Sequence, residues 1–160
     1  MSRTYEGDMI VNLTQLPKAP DIDGIRINRV FPADRTEVLR FIAEHFGSNW
    51  ACEAEYAMQQ CPPKCFIAVK ANRVVGFCCY DASAPDFFGP IGVSADCRGR
   101  GIGAALLLRA LNAMREEGYI YAVIGWVSDA ARFYEKLAGA AFIPGGTPQN
   151  SVYANMIASD

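Results

Sequence analysis

Residues 98–103, Arg98-Gly99-Arg100-Gly101-Ile102-Gly103, decide how the rest of this sequence is read. Three glycines alternate with other residues here, and arginines flank the first of them. Glycine lets the backbone approach a ligand closely, and successive N–H groups at a helix start point their positive ends at an anion. The stretch lies between an apolar strand pattern and the clearest helical pattern in the chain. A plain strand-to-helix turn would need one glycine and no arginine, so the loop reads as a phosphate cradle.

Outward from the loop, Phe87 to Val93 reads as the strand that enters it. Gly101 to Glu117 reads as the helix that leaves it. That helix carries an inward stripe of Leu107, Ala110, Leu111 and Met114, presents Arg109, Asn112 and Glu116 to water, and is closed by Gly118. Tyr119 to Trp126 is almost uninterruptedly apolar, as a central strand covered on both faces would be. A short helix from Asp129 to about Leu137 ends near Gly139. Strands Ala141-Phe142-Ile143 and Val152 to Ile157 are expected around the turn-rich Pro144-Gly145-Gly146-Thr147-Pro148.

Upstream, Phe66 to Lys70 and Val74 to Tyr80 form an expected hairpin through Ala71-Asn72-Arg73. Pro32 opens a helix bearing Val38, Phe41, Ile42 and Phe46, stopped by Gly47. A second helix runs from Asn49 to about Gln60 and breaks at Pro62-Pro63. Ile25 to Phe31 alternates as a half-buried strand does. Residues 1–24, punctuated by Pro17, Pro20 and Gly24, read as an arm in which Met9 to Leu13 could add a short strand. The expected organisation is an arm over 1–24 and a single α/β or α+β domain over 25–160.

The bulk composition fits this. The chain has 160 residues, 51% hydrophobic and 20% charged, which is ordinary for one globular domain. A net charge of −2 argues against a general nucleic-acid binder, which carries a basic surplus. No apolar run approaches the roughly 18 residues of a membrane span. Met1 to Asp8 has no apolar signal core, so a cytoplasmic protein with six free cysteines is expected. Cys61 and Cys65 have no partnering pair or histidine, and Cys78 and Cys79 point to opposite strand faces, so no metal is expected.

The loop alone leaves the phosphate ligand open. Gly99-x-Gly101-x-x-Ala104 also fits a dinucleotide fingerprint, but no acidic residue ends the following strand and the upstream hairpin is wrong for a doubly wound sheet. A nucleotide-hydrolysing loop would need Gly-Lys-Ser/Thr, which is missing.

The hexapeptide resembles the Arg/Gln-x-x-Gly-x-Gly/Ala signature of the GCN5-related N-acetyltransferases (GNAT). Gly89-Pro90-Ile91-Gly92-Val93 before it and Ala131-Arg132-Phe133-Tyr134-Glu135-Lys136-Leu137 after it extend the resemblance over about residues 66–146. The arm takes no part in it. The resemblance implies a mixed, mostly antiparallel sheet of six to seven strands, splayed in the middle and flanked by about four helices. It implies acetyl-CoA as co-substrate and a small-molecule or peptide amine as acceptor, and it leaves room for a homodimer.

By the same resemblance, Ile91, Gly92 and Val93 would pair with pantetheine, and the Val93 N–H would steady an oxyanion. Arg98, Gly99, Arg100, Gly101, Ile102, Gly103 and Ala104 would hold the pyrophosphate. Tyr134 would protonate the departing thiolate, although Ala130, Phe133, Tyr134 and Leu137 also make a core stripe. The chain departs from the family at Ser128-Asp129, where many members carry an asparagine that bonds the cofactor; Asp129 would only cap the helix. It also departs at Leu137 to Phe142, which is longer than usual. No general base is evident: Asp81 and Asp86 are the nearest carboxylates, each readable as a turn residue. His45 reads as a surface residue, while Trp50 and Tyr56 read as core or as walls of an acceptor pocket. Besides acetyl transfer to a primary amine, two readings stay open: an acyl-CoA-binding protein without turnover, and a dinucleotide-binding protein.

Overall fold

A computed structural model describes residues 6–157. Its one sheet has seven strands: β1 Gly7–Asn12, β2 Arg26–Arg29, β3 Cys65–Lys70, β4 Arg73–Tyr80, β5 Phe87–Val93, β6 Tyr121–Val127 and β7 Ala141–Phe142. Their spatial order is β2-β3-β4-β5-β6-β1-β7. Every neighbouring pair is antiparallel except β5 with β6, which is parallel. Four α-helices flank the sheet: α1 Arg35–Phe46, α2 Ser48–Met58, α3 Ile102–Glu116 and α4 Ala131–Ala138. Among the described residues no helix is long and apolar enough to cross a membrane.

The sheet divides the core into two layers. On one face α3 buries Leu106, Leu107, Leu111 and Met114 completely against residues of β1, β3, β4 and β6. Each such side chain contributes about 1.5–3 kcal/mol, so packing more than helical propensity fixes α3. Gly76 on β4 lets it approach: a Cβ there would lie 3.1 Å from the Leu106 side chain. On the other face, Val38 and Ile42 of α1 and Ala54 and Ala57 of α2 pack with Ile67, Phe77 and Cys79. Cys78 belongs to the first layer and Cys79 to the second, as strand alternation requires.

Three expectations need correction. The short strand that Met9 to Leu13 could add is present as β1, but it lies inside the sheet, paired with β6 on one side and β7 on the other, so this stretch is no arm beside the domain. Its alternation was visible (Met9 and Val11 buried, Ile10 exposed), but its partners lie more than a hundred residues away. Residues 152–157 form no strand: Val152–Asn155 is a 3₁₀ turn, because Tyr153 folds down onto β6. Finally, β6 is not covered on both faces. Tyr121 and Trp126 are exposed, because the α1–α2 layer packs on β3 and β4 and does not extend over β6.

Candidate active site

The site begins where β5 and β6 part. The two strands pair only through Phe87 with Val123 and Phe88 with Ile124. Just beyond, β5 bulges: the two steps from Cys78 to Tyr80 on β4 face three from Phe88 to Ile91 on β5. The extra length falls at Gly89-Pro90, and Pro90 has no N–H to offer β6. At the same level β6 bulges too, since Gly7 to Met9 on β1 faces Ile124 to Val127. Trp126 there has a φ of 52°, and its N–H donates to the buried Asp8 carboxylate at 3.0 Å. Two bulges turn the strands apart, and the gap opens into a cavity of about 1000 Å³ between Phe88–Val93 and Ile124–Ser128.

At the end of β5 the backbone presents donors to this gap. The Ser94 N–H donates to Val75 on β4 at 2.8 Å. Successive N–H groups of a strand point to alternate sides, so the Val93 and Ile91 N–H groups face the gap. The Val93 carbonyl accepts from Arg98 Nε at 3.2 Å, which ties the arginine to the strand end.

The loop then winds into α3. Gly99 and Gly101 have φ of 79° and 82°, a region that other residues enter at a cost of about 1–2 kcal/mol. Ala105 N–H already bonds the Gly101 carbonyl, so Ile102, Gly103 and Ala104 hold the unpaired N–H groups at the helix start. The first turn contains no acidic residue. Gly103 needs no special conformation, and an added Cβ would meet Phe133 and Val93 at ordinary contact distances of 3.5 and 3.9 Å. Arg98, Gly99, Gly101, Ile102, Gly103 and Ala104 all line the cavity. Arg100 is exposed and is not in its wall.

Tyr134 stands both in the core and at the cavity wall. It is buried in the α3 layer, edge-on to Phe88 with ring centroids 6.3 Å apart, and it also lines the cavity. Burial pushes its phenol well above the ordinary range, so it is a protonated donor at neutral pH. Asp129 lines the cavity but does not cap α4, whose N-cap position is Ala130 without a side-chain bond.

Neither carboxylate singled out as a base reaches the cleft wall. Asp81 is buried and engaged by Lys64 Nζ at 2.5 Å and by the Tyr119 hydroxyl at 3.0 Å. Asp86 sits in the turn before β5, and burial together with the charge of Asp81 pushes it up to about 6. His45 is exposed, lies tilted against Phe41 with ring centroids 4.5 Å apart, and is not part of the cavity wall. Among the described residues no group of histidine, cysteine, aspartate or glutamate is placed to hold a metal, and those cysteines are free.

Glu53 is the residue that sequence reasoning missed. It lines the cavity from α2 and accepts from the Ser83 hydroxyl at 3.0 Å, which accepts from the Tyr153 hydroxyl at 3.3 Å. Burial raises the pKa of Glu53, partly opposed by the Ser83 bond. The only signal available was its place one turn after Trp50, which also lines the cavity; Tyr56 does not.

The family model for the acetyltransferase (GNAT) family matches residues 35–140. The chain belongs to that family. Its GNAT fold is also seen in the GCN5-related glucosamine N-acetyltransferase region of a fungal multi-domain β-N-acetylglucosaminidase, with a TM-score of 0.71 at 18% identity over 86% of this chain and 20% of that one. A GCN5-related N-acetyltransferase from Sphaerobacter thermophilus gives 0.68 at 22% identity, over 86% of this chain and 48% of that one. A GNAT acetyltransferase from Brucella melitensis, solved in complex with acetyl-CoA, gives 0.54 at 19% identity, over 68% of this chain and 80% of that one. This chain thus spans less than half the length of the first two. No curated protein matches it by sequence.

Proposed function

We propose that the chain is an acetyl-CoA-dependent N-acetyltransferase that passes an acetyl group directly to a primary amine in a ternary complex. The observation that carries this reading is the divergence of β5 from β6, with free N–H groups of Val93 and the start of α3 facing one continuous cleft. The residues fit the cofactor by chemistry. The unpaired N–H groups of Ile102 to Ala104 and the Arg98 guanidinium suit a pyrophosphate, and the apolar gap beside Ile91 suits pantetheine. Acetyl-CoA supplies the acetyl group as a thioester.

The chain's own groups then divide the work. The Val93 N–H takes the negative charge that develops on the carbonyl oxygen. Tyr134 gives its proton to the departing sulfur: a phenol near 10, raised further by burial, remains protonated until it is needed. Glu53 is the carboxylate on the acceptor side of the cleft that can take a proton from the attacking amine. No acyl-enzyme is invoked: Cys65, Cys78 and Cys79 are buried outside the cleft wall, and Cys97, the cysteine in that wall, is buried in a lining that holds no histidine.

Incubation with acetyl-CoA and a panel of small primary amines, followed by free-thiol detection, tests the reading. Amine-dependent thiol release is expected. Binding of acetyl-CoA with no thiol release for any amine would leave an acyl-CoA-binding protein instead.

A further inference from the structure

On the α2 side of the sheet the cleft has a mouth framed by two aromatic rings, each lying on a glycine. Phe46 lies on Gly92 of β5, so close that an added Cβ would fall 2.5 Å from its ring. Tyr153 lies on Gly125 of β6, where an added Cβ would fall within 2.6 Å of its hydroxyl. Trp50 stacks on Phe46 at 5.5 Å, and Trp126 stands edge-on to Tyr153 at 5.5 Å. These four rings wall the mouth on both strands of the split.

Glu53 is the charged group among them. No cation is paired with it among the described residues; its partner is the Ser83 hydroxyl, itself held by Tyr153. The cavity's other charged residues, Arg98 and Asp129, belong to the loop before α3 and the start of α4, which pack on the opposite face. A half-buried carboxylate without a counter-ion, in a wall it shares with four aromatic rings, favours an ammonium: charge pairing and cation–π attraction act together there. The same place disfavours an acceptor with its own carboxylate next to the amine, since Glu53 would repel it and no cation stands nearby.

Resting on the acetyl-transfer reading, we propose that the acceptor is a primary amine on an uncharged, ring-bearing apolar body, with its ammonium at Glu53 and its body between Phe46–Trp50 and Tyr153–Trp126. Amino acids and polyamines are poor fits: the first adds an anion beside Glu53, and the second adds a further cation for which the mouth holds no second carboxylate.

The chain's two tryptophans both line this mouth, so their emission reports on it directly. The full chain, with CoA present, is titrated with 2-phenylethylamine, 2-phenylethanol and phenylalanine. Saturable quenching by the amine is expected, with the alcohol and the amino acid at least about tenfold weaker. In Glu53→Gln the amine's advantage over the alcohol disappears, and in Glu53→Asp part of it returns. Equal binding of amine and alcohol by the unaltered chain, or an advantage that survives Glu53→Gln, overturns the inference. If other amines release thiol from acetyl-CoA while phenylethylamine neither quenches nor reacts, this inference fails and the acetyl-transfer reading stands. If phenylethylamine binds in a Glu53-dependent way and no amine releases thiol, the ligand class stands and the transfer reading fails.

Discussion

Tyr134 is asked to be a core residue and a proton donor at once, and the two demands separate experimentally. Tyr134→Phe keeps the ring that packs edge-on to Phe88 and removes only the hydroxyl. We predict that kcat falls by about 10²-fold or more, the usual size of an acid–base contribution, with CoA affinity nearly unchanged. Steady-state kinetics with a binding titration check this, and equal loss of both would mark a packing role. Asp86 offers a prediction on stability. Its folded pKa is raised from 3.8 to about 6, with burial the larger cause and Asp81 the smaller. The native state therefore holds that proton more tightly, and the stability this gives is present below pH 3.8 and lost as pH rises to about 6. Asp86→Asn does not titrate, and asparagine tolerates the positive φ of 67° found there. The variant should match the parent near pH 3.5 and be more stable above pH 6.5, by about 0.5–1 kcal/mol once screening by solvent is allowed for. Urea unfolding across that pH range measures it.

At the scale of elements, the loop and α3 separate two uses of glycine. Gly101→Ala places a Cβ at a φ of 82° and should lower stability by about 1–2 kcal/mol while weakening CoA binding. Gly103→Ala meets only ordinary contacts at 3.5 Å or more and should stay within about 0.5 kcal/mol of the parent. Gly125→Ala drives a methyl into the Tyr153 ring; we expect a loss of about 1–3 kcal/mol and a disturbed acceptor mouth. Denaturant unfolding of the three variants ranks them. These elements were also the legible ones. β5, its loop, α3 and α4 form a contiguous run whose periodicity, punctuation and charge agree with one another. Glu53 was not legible, because a glutamate inside Ala51-Cys52-Glu53-Ala54 carries no local mark of facing a cleft. What distinguishes it is Ser83 and Tyr153, brought to it from thirty and a hundred residues away. The end of the chain misled for the same reason: Val152 to Ile157 has apolar residues enough for a strand, but Tyr153 finds its partners on β6 and Ser83.

At the scale of the molecule, one sheet is held together at its closed end and split at its open end. β1 braces the split from outside by pairing with β6 and by holding the β6 bulge through Asp8. One helix layer packs on the loop side of the split and the other on the Glu53 side, so under the proposed function donor and acceptor would approach from opposite faces of the sheet. That division explains why the sequence signature speaks to the cofactor and says nothing of the amine: the two sites share the strand ends and little else. The central claim is that the split holds a CoA thioester and not a dinucleotide. Thermal unfolding with acetyl-CoA, CoA and NAD tests it most directly. A ligand at about a hundred times its Kd adds about 2.7 kcal/mol, which for a domain of this size raises Tm by about 5–10 °C. We predict that rise for acetyl-CoA and CoA and none for NAD; a rise with NAD and none with either CoA species would contradict the account.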